Sequence, residues 1–272
     1  VENIRQAVER AKGQPQKQSG VGFESSKQKA THVFGDVHAS KKHAHEVQLD
    51  LAHLRSQRIV AFDGRDDRSR PFDMLRTEIL QSMDQKGWKT LAVTSPTPSC
   101  GKTLTAINLA LSVARQPERE VFLADLDLRK PHVANSLGLK CTEGIVGVIE
   151  GRIDMDTAII QARIGASRLQ VLPTAPASNP SDLVGSGAMR MMLEEVTGRA
   201  PSGIVILDLP PILTGHDVIS ILPQVDCVLF VAAVGTSKVS EIEECNKYLA
   251  ETNLVRFVLN KVPVSTTSYG YY

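Results

Sequence analysis

Six short apolar runs, KTLAVTS, EVFLADLDL, RLQVLPTA, GIVILDLPP, CVLFVAAV and RFVLNKV, constrain this chain more than any other feature. Each is apolar throughout rather than alternating, the pattern of a strand buried on both faces. The stretches between them, KTLTAINLALSVA and GAMRMMLEEV among them, read as helices. RPFDMLRTEILQSM adds an earlier helix, with Phe72, Leu75, Ile79 and Met83 at helical spacing. Strands alternating with helices make βαβ units, and these make a parallel sheet covered on both sides. The predicted fold class is α/β, a mostly parallel central sheet flanked by helices.

The 272 residues suffice for one such domain with extensions. Residues 1–12 predict a short amphipathic helix, with Ile4, Ala7, Val8 and Ala11 on one stripe. Residues 13–55 turn to Gln, Lys, Ser, Gly and His without periodicity and read as a polar, flexible linker. Five of the seven histidines (His32, His38, His43, His45, His53) lie there, with no cysteines or spaced carboxylates to complete a metal site. The domain is expected over 56–262 and a tyrosine-rich tail over 263–272. Tyr269, Tyr271 and Tyr272 are three of only four tyrosines. A terminus rich in Ser, Thr and Gly gives them nothing to pack on, so their hydroxyls are what they offer.

At 42% hydrophobic and 22% charged, the composition is that of a soluble protein with a core. A net charge of +1 argues against a nucleic-acid partner. The four cysteines show no CxxC spacing, so neither disulfides nor zinc is expected. No apolar run approaches the roughly 18 residues that span a bilayer. The expected location is cytoplasmic, peripheral to the inner face of the cell membrane only through a partner.

Gly101-Lys102-Thr103 sits where KTLAVTS gives way to a helix. The free N–H groups and dipole of a helix start favour an anion there. Gly101 admits close approach of the backbone, Lys102 supplies charge to β- and γ-phosphates, and Thr103 offers a hydroxyl to Mg²⁺. Ser99, Cys100, Gly101, Lys102, Thr103 and Leu104 are the expected nucleotide-binding residues. Pro96 stands where the G-x-x-x-x-G-K-[ST] pattern has its first glycine. Cys100, near a helix start and a lysine, has a setting that can lower a thiol pKa, but it reads as an ordinary loop residue.

Two further runs end in acid. VFLADLDLRKP carries Asp125, Asp127 and Arg129; IVILDLPP carries Asp208, followed by Pro210 and Pro211. Ligands of open parallel sheets bind beyond the carboxyl ends of the strands. Mg²⁺ on a nucleotide takes few carboxylates, often through water, together with phosphate oxygens. Three strand ends would deliver that set to one place.

PSCGKT, FLADLDLR and ILDLPP together resemble the Walker A, A′ and B signatures of the bacterial tyrosine kinases, P-loop autokinases of capsule and exopolysaccharide systems. APASNPSDLV and VLNK extend the similarity, which covers roughly residues 70–272. The resemblance implies a P-loop NTPase (MinD/ParA-like) fold, ATP and Mg²⁺ as cofactors, and transfer of phosphate to Tyr269, Tyr271 and Tyr272 between subunits. It further implies a homo-oligomer, a cognate phosphatase and a membrane-embedded chain-length or export protein whose cytoplasmic segment activates the kinase. On this reading Lys102, Asp125, Asp127, Asp208 and Arg129 are catalytic. Thr103, Asp125 and Asp208 hold the metal or its waters, and Asp127 or Asp125 takes the tyrosine proton. Arg129 steadies phosphate charge or a neighbouring subunit, and Asn260 contacts the base or closes a strand-end turn. A tyrosine hydroxyl, with a pKa near 10, needs such a base or metal.

The chain departs from that pattern in two places. Ser99-Cys100 replaces the Gly-Glu before GK. Of the E-x-x-R-x-x-R assembly helix, aligned with Arg70, Asp73 and Arg76, only Arg76 is kept. Partition and division ATPases of the MinD/ParA type share the core but carry a second lysine, where this chain has Thr97. An ATP-dependent dimerisation switch and a weakly catalytic scaffold are the two rival readings. Tyr248, inside a helical run, reads as a packing residue.

Overall fold

Five of the apolar runs lie side by side within one sheet, and the sixth, RFVLNKV, forms its edge, where Phe257 and Leu259 are exposed rather than buried on both faces. The computed structural model describes residues 45–253 and 255–263, with the side chain of Val255 set aside. The helix read at 1–12, the linker over 13–44 and the three tail tyrosines lie outside the described residues.

The strands are β1 (His45–Gln48), β2 (Thr90–Thr94), β3 (Val121–Asp125), β4 (Ile160–Ile164), β5 (Ser167–Leu172), β6 (Ile204–Asp208), β7 (Cys227–Ala233) and β8 (Val255–Asn260). Across the sheet they run β1-β4-β5-β3-β6-β2-β7-β8. Every neighbouring pair is parallel except β4 and β5. Strands β2, β3, β6 and β7 are buried at every position, as their unbroken apolar sequences require.

The helices are α1 (Leu51–Ser56), α2 (Arg70–Lys86), α3 (Lys102–Ala114), α4 (Val133–Leu137), α5 (Gly144–Ile149), α6 (Met155–Ala158), α7 (Pro180–Val184), α8 (Gly187–Gly198), α9 (Asp217–Ile221) and α10 (Val239–Leu249). Ile79 and Met83 of α2 and Ile107 and Leu111 of α3 join Leu91 and Val93 in one apolar layer. Met192 and Val196 of α8 join Phe122, Val205 and Phe230 in the layer on the opposite face. Among the described residues, no helix is long and apolar enough to cross a membrane.

Residues 45–55, the end of the expected linker, instead belong to the folded domain. Strand β1 pairs in parallel with β4, Asp50 caps α1 through the Ala52 N–H, and Leu54 is fully buried. The run RLQVLPTA supplies β5 as expected, but β5 forms a hairpin with β4 across Gly165-Ala166, where Gly165 has φ 57°. Strands β1 and β4 thus run against the rest of the sheet. Tyr248 differs from its expected packing role: it is 37% exposed on α10.

Asp73, aligned with the assembly helix, is occupied within its own chain. Its Oδ1 accepts from Ser112 Oγ at 2.5 Å, Arg115 at 2.8 Å and Arg76 at 3.3 Å. Arg70 pairs with Asp67 at 3.1 Å on the surface.

Candidate functional site

The strand order β3-β6-β2 sets three carboxyl ends next to one another. Asp125 and Asp208 are partners in register across β3 and β6, and Asp208 faces Val93 of β2 on its other side. The phosphate-binding loop leaves β2 one residue later and enters α3 at Lys102. Gly101 caps α3 with φ 94° and no side chain on the helix's first N–H groups, which are left to serve an anion. Ser99 also has positive φ, 65°, a conformation uncommon for a residue with a side chain.

Lys102 Nζ stands 3.0 Å from Asp127 and 3.5 Å from Asp208. Thr103 Oγ1 donates to Asp208 Oδ2 at 2.6 Å. Burial works against the Lys102 charge, but Asp208, Asp127 and Asp125 outweigh it and hold the ammonium above its ordinary pKa. Burial pushes Asp208 up, with Lys102 and Thr103 opposing. It pushes Asp125 up to about 8, helped by the neighbouring Asp208 charge and opposed by the Val133 N–H and Lys102.

Asp125 also folds the loop that follows it. One oxygen accepts from Asp127 N at 3.2 Å, and the other from His132 N and Val133 N at 3.0 and 2.9 Å. Asp127 Oδ1 accepts from Lys130 N at 3.1 Å, leaving Oδ2 toward Lys102. Asp125 is therefore committed to backbone, whereas Asp127 lines a cavity of about 680 Å³ with Ser99, Gly101, Lys102, Thr103 and Leu104. Pro210 and Pro211 form another part of its wall.

Two expected site residues have other work. The Arg129 guanidinium lies at the cavity rim but is held by Asp217 at 2.6 Å and Ser181 at 2.7 Å. That bond raises the Arg129 pKa, and it outweighs burial to hold Asp217 low. Asn260 turns its amide onto the loop, donating to Cys100 O at 2.8 Å, and accepts from Lys261 N at 2.8 Å. Cys100 is buried, its Sγ 3.3 Å from Ser237 Oγ, which itself accepts from Ala233 N. The ends of β7 and β8 thus grip the phosphate loop from behind.

Ser181, Asp217 and Ser237 escaped the reading of the sequence. Ser181 falls in the noted NPSDLV segment, so a signal existed; Asp217 and Ser237 sit in stretches without pattern.

The oxygen donors present suit Mg²⁺: a threonine hydroxyl within hydrogen-bond reach of a buried carboxylate, with Asp127 nearby. Among the described residues no group of three or more His, Cys, Asp or Glu forms a cage of its own. A cation held by these residues would complete its shell with water or phosphate oxygens.

No family model matches the chain. Tyrosine-protein kinase YwqD of Bacillus subtilis is 31% identical over 208 residues, covering 75% of this chain and 86% of YwqD. EpsB of Ralstonia nicotianae is 30% identical over 234 residues, covering 83% of this chain, which spans 31% of EpsB. Among solved structures, the kinase domain of Escherichia coli tyrosine kinase ETK superposes with a TM-score of 0.68 at 27% identity, over 79% of this chain and 85% of that domain. The septum site-determining protein MinD of Pyrococcus horikoshii, complexed with Mg-ADP, reaches 0.54 at 18% identity over 65% of this chain and 72% of MinD, a likeness of fold alone. With its sheet order, its phosphate loop and its strand-end aspartates, the chain belongs to the bacterial tyrosine-protein kinases.

Proposed function

We propose that the chain is an ATP-dependent protein-tyrosine kinase that phosphorylates Tyr269, Tyr271 and Tyr272 on another copy of itself. The observation that carries this reading is the meeting of Lys102, Thr103, Asp127 and Asp208 at adjacent strand ends beside an open cavity.

The loop N–H groups and Lys102 hold the β- and γ-phosphates. Thr103 and Asp208 hold Mg²⁺, which when bound neutralises charge on the phosphate oxygens. The tyrosine oxygen attacks the γ-phosphorus as the bond to the β–γ bridging oxygen breaks and ADP departs. Asp127, facing the cavity, takes the phenolic proton, while Asp125 keeps the loop that carries Asp127 in place. Phosphoryl transfer asks mainly for alignment and charge stabilisation, which these residues supply. Strand β8 runs parallel to β7, so its carboxyl end opens on this face. The roughly ten residues beyond it span about 35 Å when extended, enough to enter a neighbour's cavity.

The setting is the cytoplasmic face of the membrane, where an export or chain-length protein activates the kinase and a phosphatase resets it. Phosphorylated tails repel one another, so assembly and dispersal would regulate capsule or exopolysaccharide polymerisation and export. Mass spectrometry after incubation with Mg-ATP tests the reading: phosphate appears on the C-terminal peptide and disappears in K102M. ADP release without tail phosphate would point to a MinD/ParA-like switch, and neither product to a scaffold. Undiminished labelling of K102M would overturn the site.

A further inference from the structure

A second cavity, of about 460 Å³, adjoins the first, and Arg129, Lys130 and His132 line both. All three are exposed, so a guanidinium, an ammonium and an imidazole stand at the shared rim. The loop geometry explains why. Asp125 takes the backbone N–H of His132 and Asp127 takes that of Lys130, which fixes the main chain inward and turns both side chains out. Arg129 is engaged by Asp217 and Ser181, but among the described residues the Lys130 and His132 side chains have no hydrogen-bond or ion-pair partner. The far wall, Leu139, Thr174 and Pro176, is tied to the loop through Ala177 N donating to Leu128 O at 2.9 Å. A cavity of this size, apolar on one side and cationic at its mouth, matches a ring bearing an anion.

We propose that this second cavity is a phosphotyrosine subsite, which holds a tyrosine already phosphorylated while a neighbouring one enters the first cavity. The proposal rests on the tail-phosphorylation reading above and adds an order to it. The tail places its tyrosines one and two positions apart, Tyr269-Gly270-Tyr271-Tyr272. In an extended chain, positions two apart are about 7 Å from one another, so adjoining cavities that share a rim can serve both at once. The first phosphate on a tail is then recognised by Lys130 and His132, and it draws the remaining tyrosines into place. Phosphorylation of one tail would proceed in a run rather than at random among tails.

The test uses the full chain carrying Y269F, Y271F and Y272F, with Mg-ADP filling the nucleotide site. Synthetic peptides of sequence VSTTSYGYY, unphosphorylated or phosphorylated at the first tyrosine, are titrated by fluorescence anisotropy at physiological salt. The phosphopeptide should bind about tenfold more tightly, the size of one charge-assisted hydrogen bond. K130A/H132A should erase that advantage without lowering the thermal midpoint, since both side chains are exposed. Equal binding of the two peptides, or an advantage that survives K130A/H132A, would overturn the proposal. Because the phosphate is made synthetically, this outcome is independent of whether K102M abolishes labelling.

Discussion

Asn260 reaches the phosphate loop through the space that Gly101 leaves by lacking a side chain. A Cβ added to Gly101 would lie 2.2 Å from Asn260 Nδ2, so an alanine cannot enter unless Asn260 withdraws. Withdrawal breaks the bonds to Cys100 O and from Lys261 N, each worth about 0.5–1.5 kcal/mol net. The alanine itself, at φ 94°, costs about 1–2 kcal/mol in a left-handed conformation. Gly101→Ala should therefore destabilise by about 2–5 kcal/mol, and Asn260→Ala alone by about 1–3 kcal/mol. In the double variant the clash is gone and the Asn260 bonds are counted once. Its cost should stay at about 2–5 kcal/mol, a coupling of about 1–3 kcal/mol.

Urea unfolding of the four proteins measures the cycle. Calorimetric titration with Mg-ADP should show weaker binding for Asn260→Ala, with equal losses for adenine and guanine nucleotides, because the residue acts on the loop. Additive costs, or an Asn260→Ala variant as stable as the parent with a loss confined to adenine nucleotides, would refute the clamp and return Asn260 to the base.

Asp127→Asn should lower kcat for tail phosphorylation by about 10²–10⁴-fold while Mg-ADP affinity holds within a few-fold; unchanged kcat would remove Asp127 as the proton acceptor. Asp125→Asn should instead cost stability, by about 1–3 kcal/mol in urea unfolding, because an amide cannot accept three N–H groups on two oxygens. The raised pKa values of Asp125 and Asp208 mean that the folded state keeps protons the unfolded chain releases. Stability without nucleotide should thus fall as pH rises from the ordinary carboxyl value of 3.8 to about 8, more steeply in Lys102→Met; denaturation midpoints across that window check the sign. Asp73→Ala, which strips the carboxylate from the half-buried Arg76 and Arg115 and leaves them only their bonds to Ser112 and Ala61, should cost about 2 kcal/mol in the same assay.

What could be read from the sequence divides along burial. Strands β2, β3, β6 and β7 are covered on both faces, so nearly every residue must be apolar and the runs announce themselves. Strand β1, HEVQ, has one half-buried residue and three exposed ones, so its composition does not differ from that of a polar linker. Strand β4, IQARI, alternates buried and half-buried residues, and its hairpin with β5 was signalled only by Gly165.

The candidate site divides in another way. Lys102, Thr103, Asp127 and Asp208 were legible because backbone geometry delivers strand ends and a helix start to the same edge, whatever the loops do. Arg129 shows where that argument stops. A cation two residues beyond Asp127 has the chemistry of a phosphate ligand, yet Asp217, 88 residues further along, has taken its guanidinium. Asn260 is the same case: an amide at a strand end suits a nucleotide base, but its Nδ2 fills the space that Gly101 leaves, and the loop carbonyl is what it finds there. The positions of these groups follow from the sheet. Their partners follow from close approaches between distant segments, and a missing Cβ at Gly101 records such an approach only once the neighbouring strand end is known.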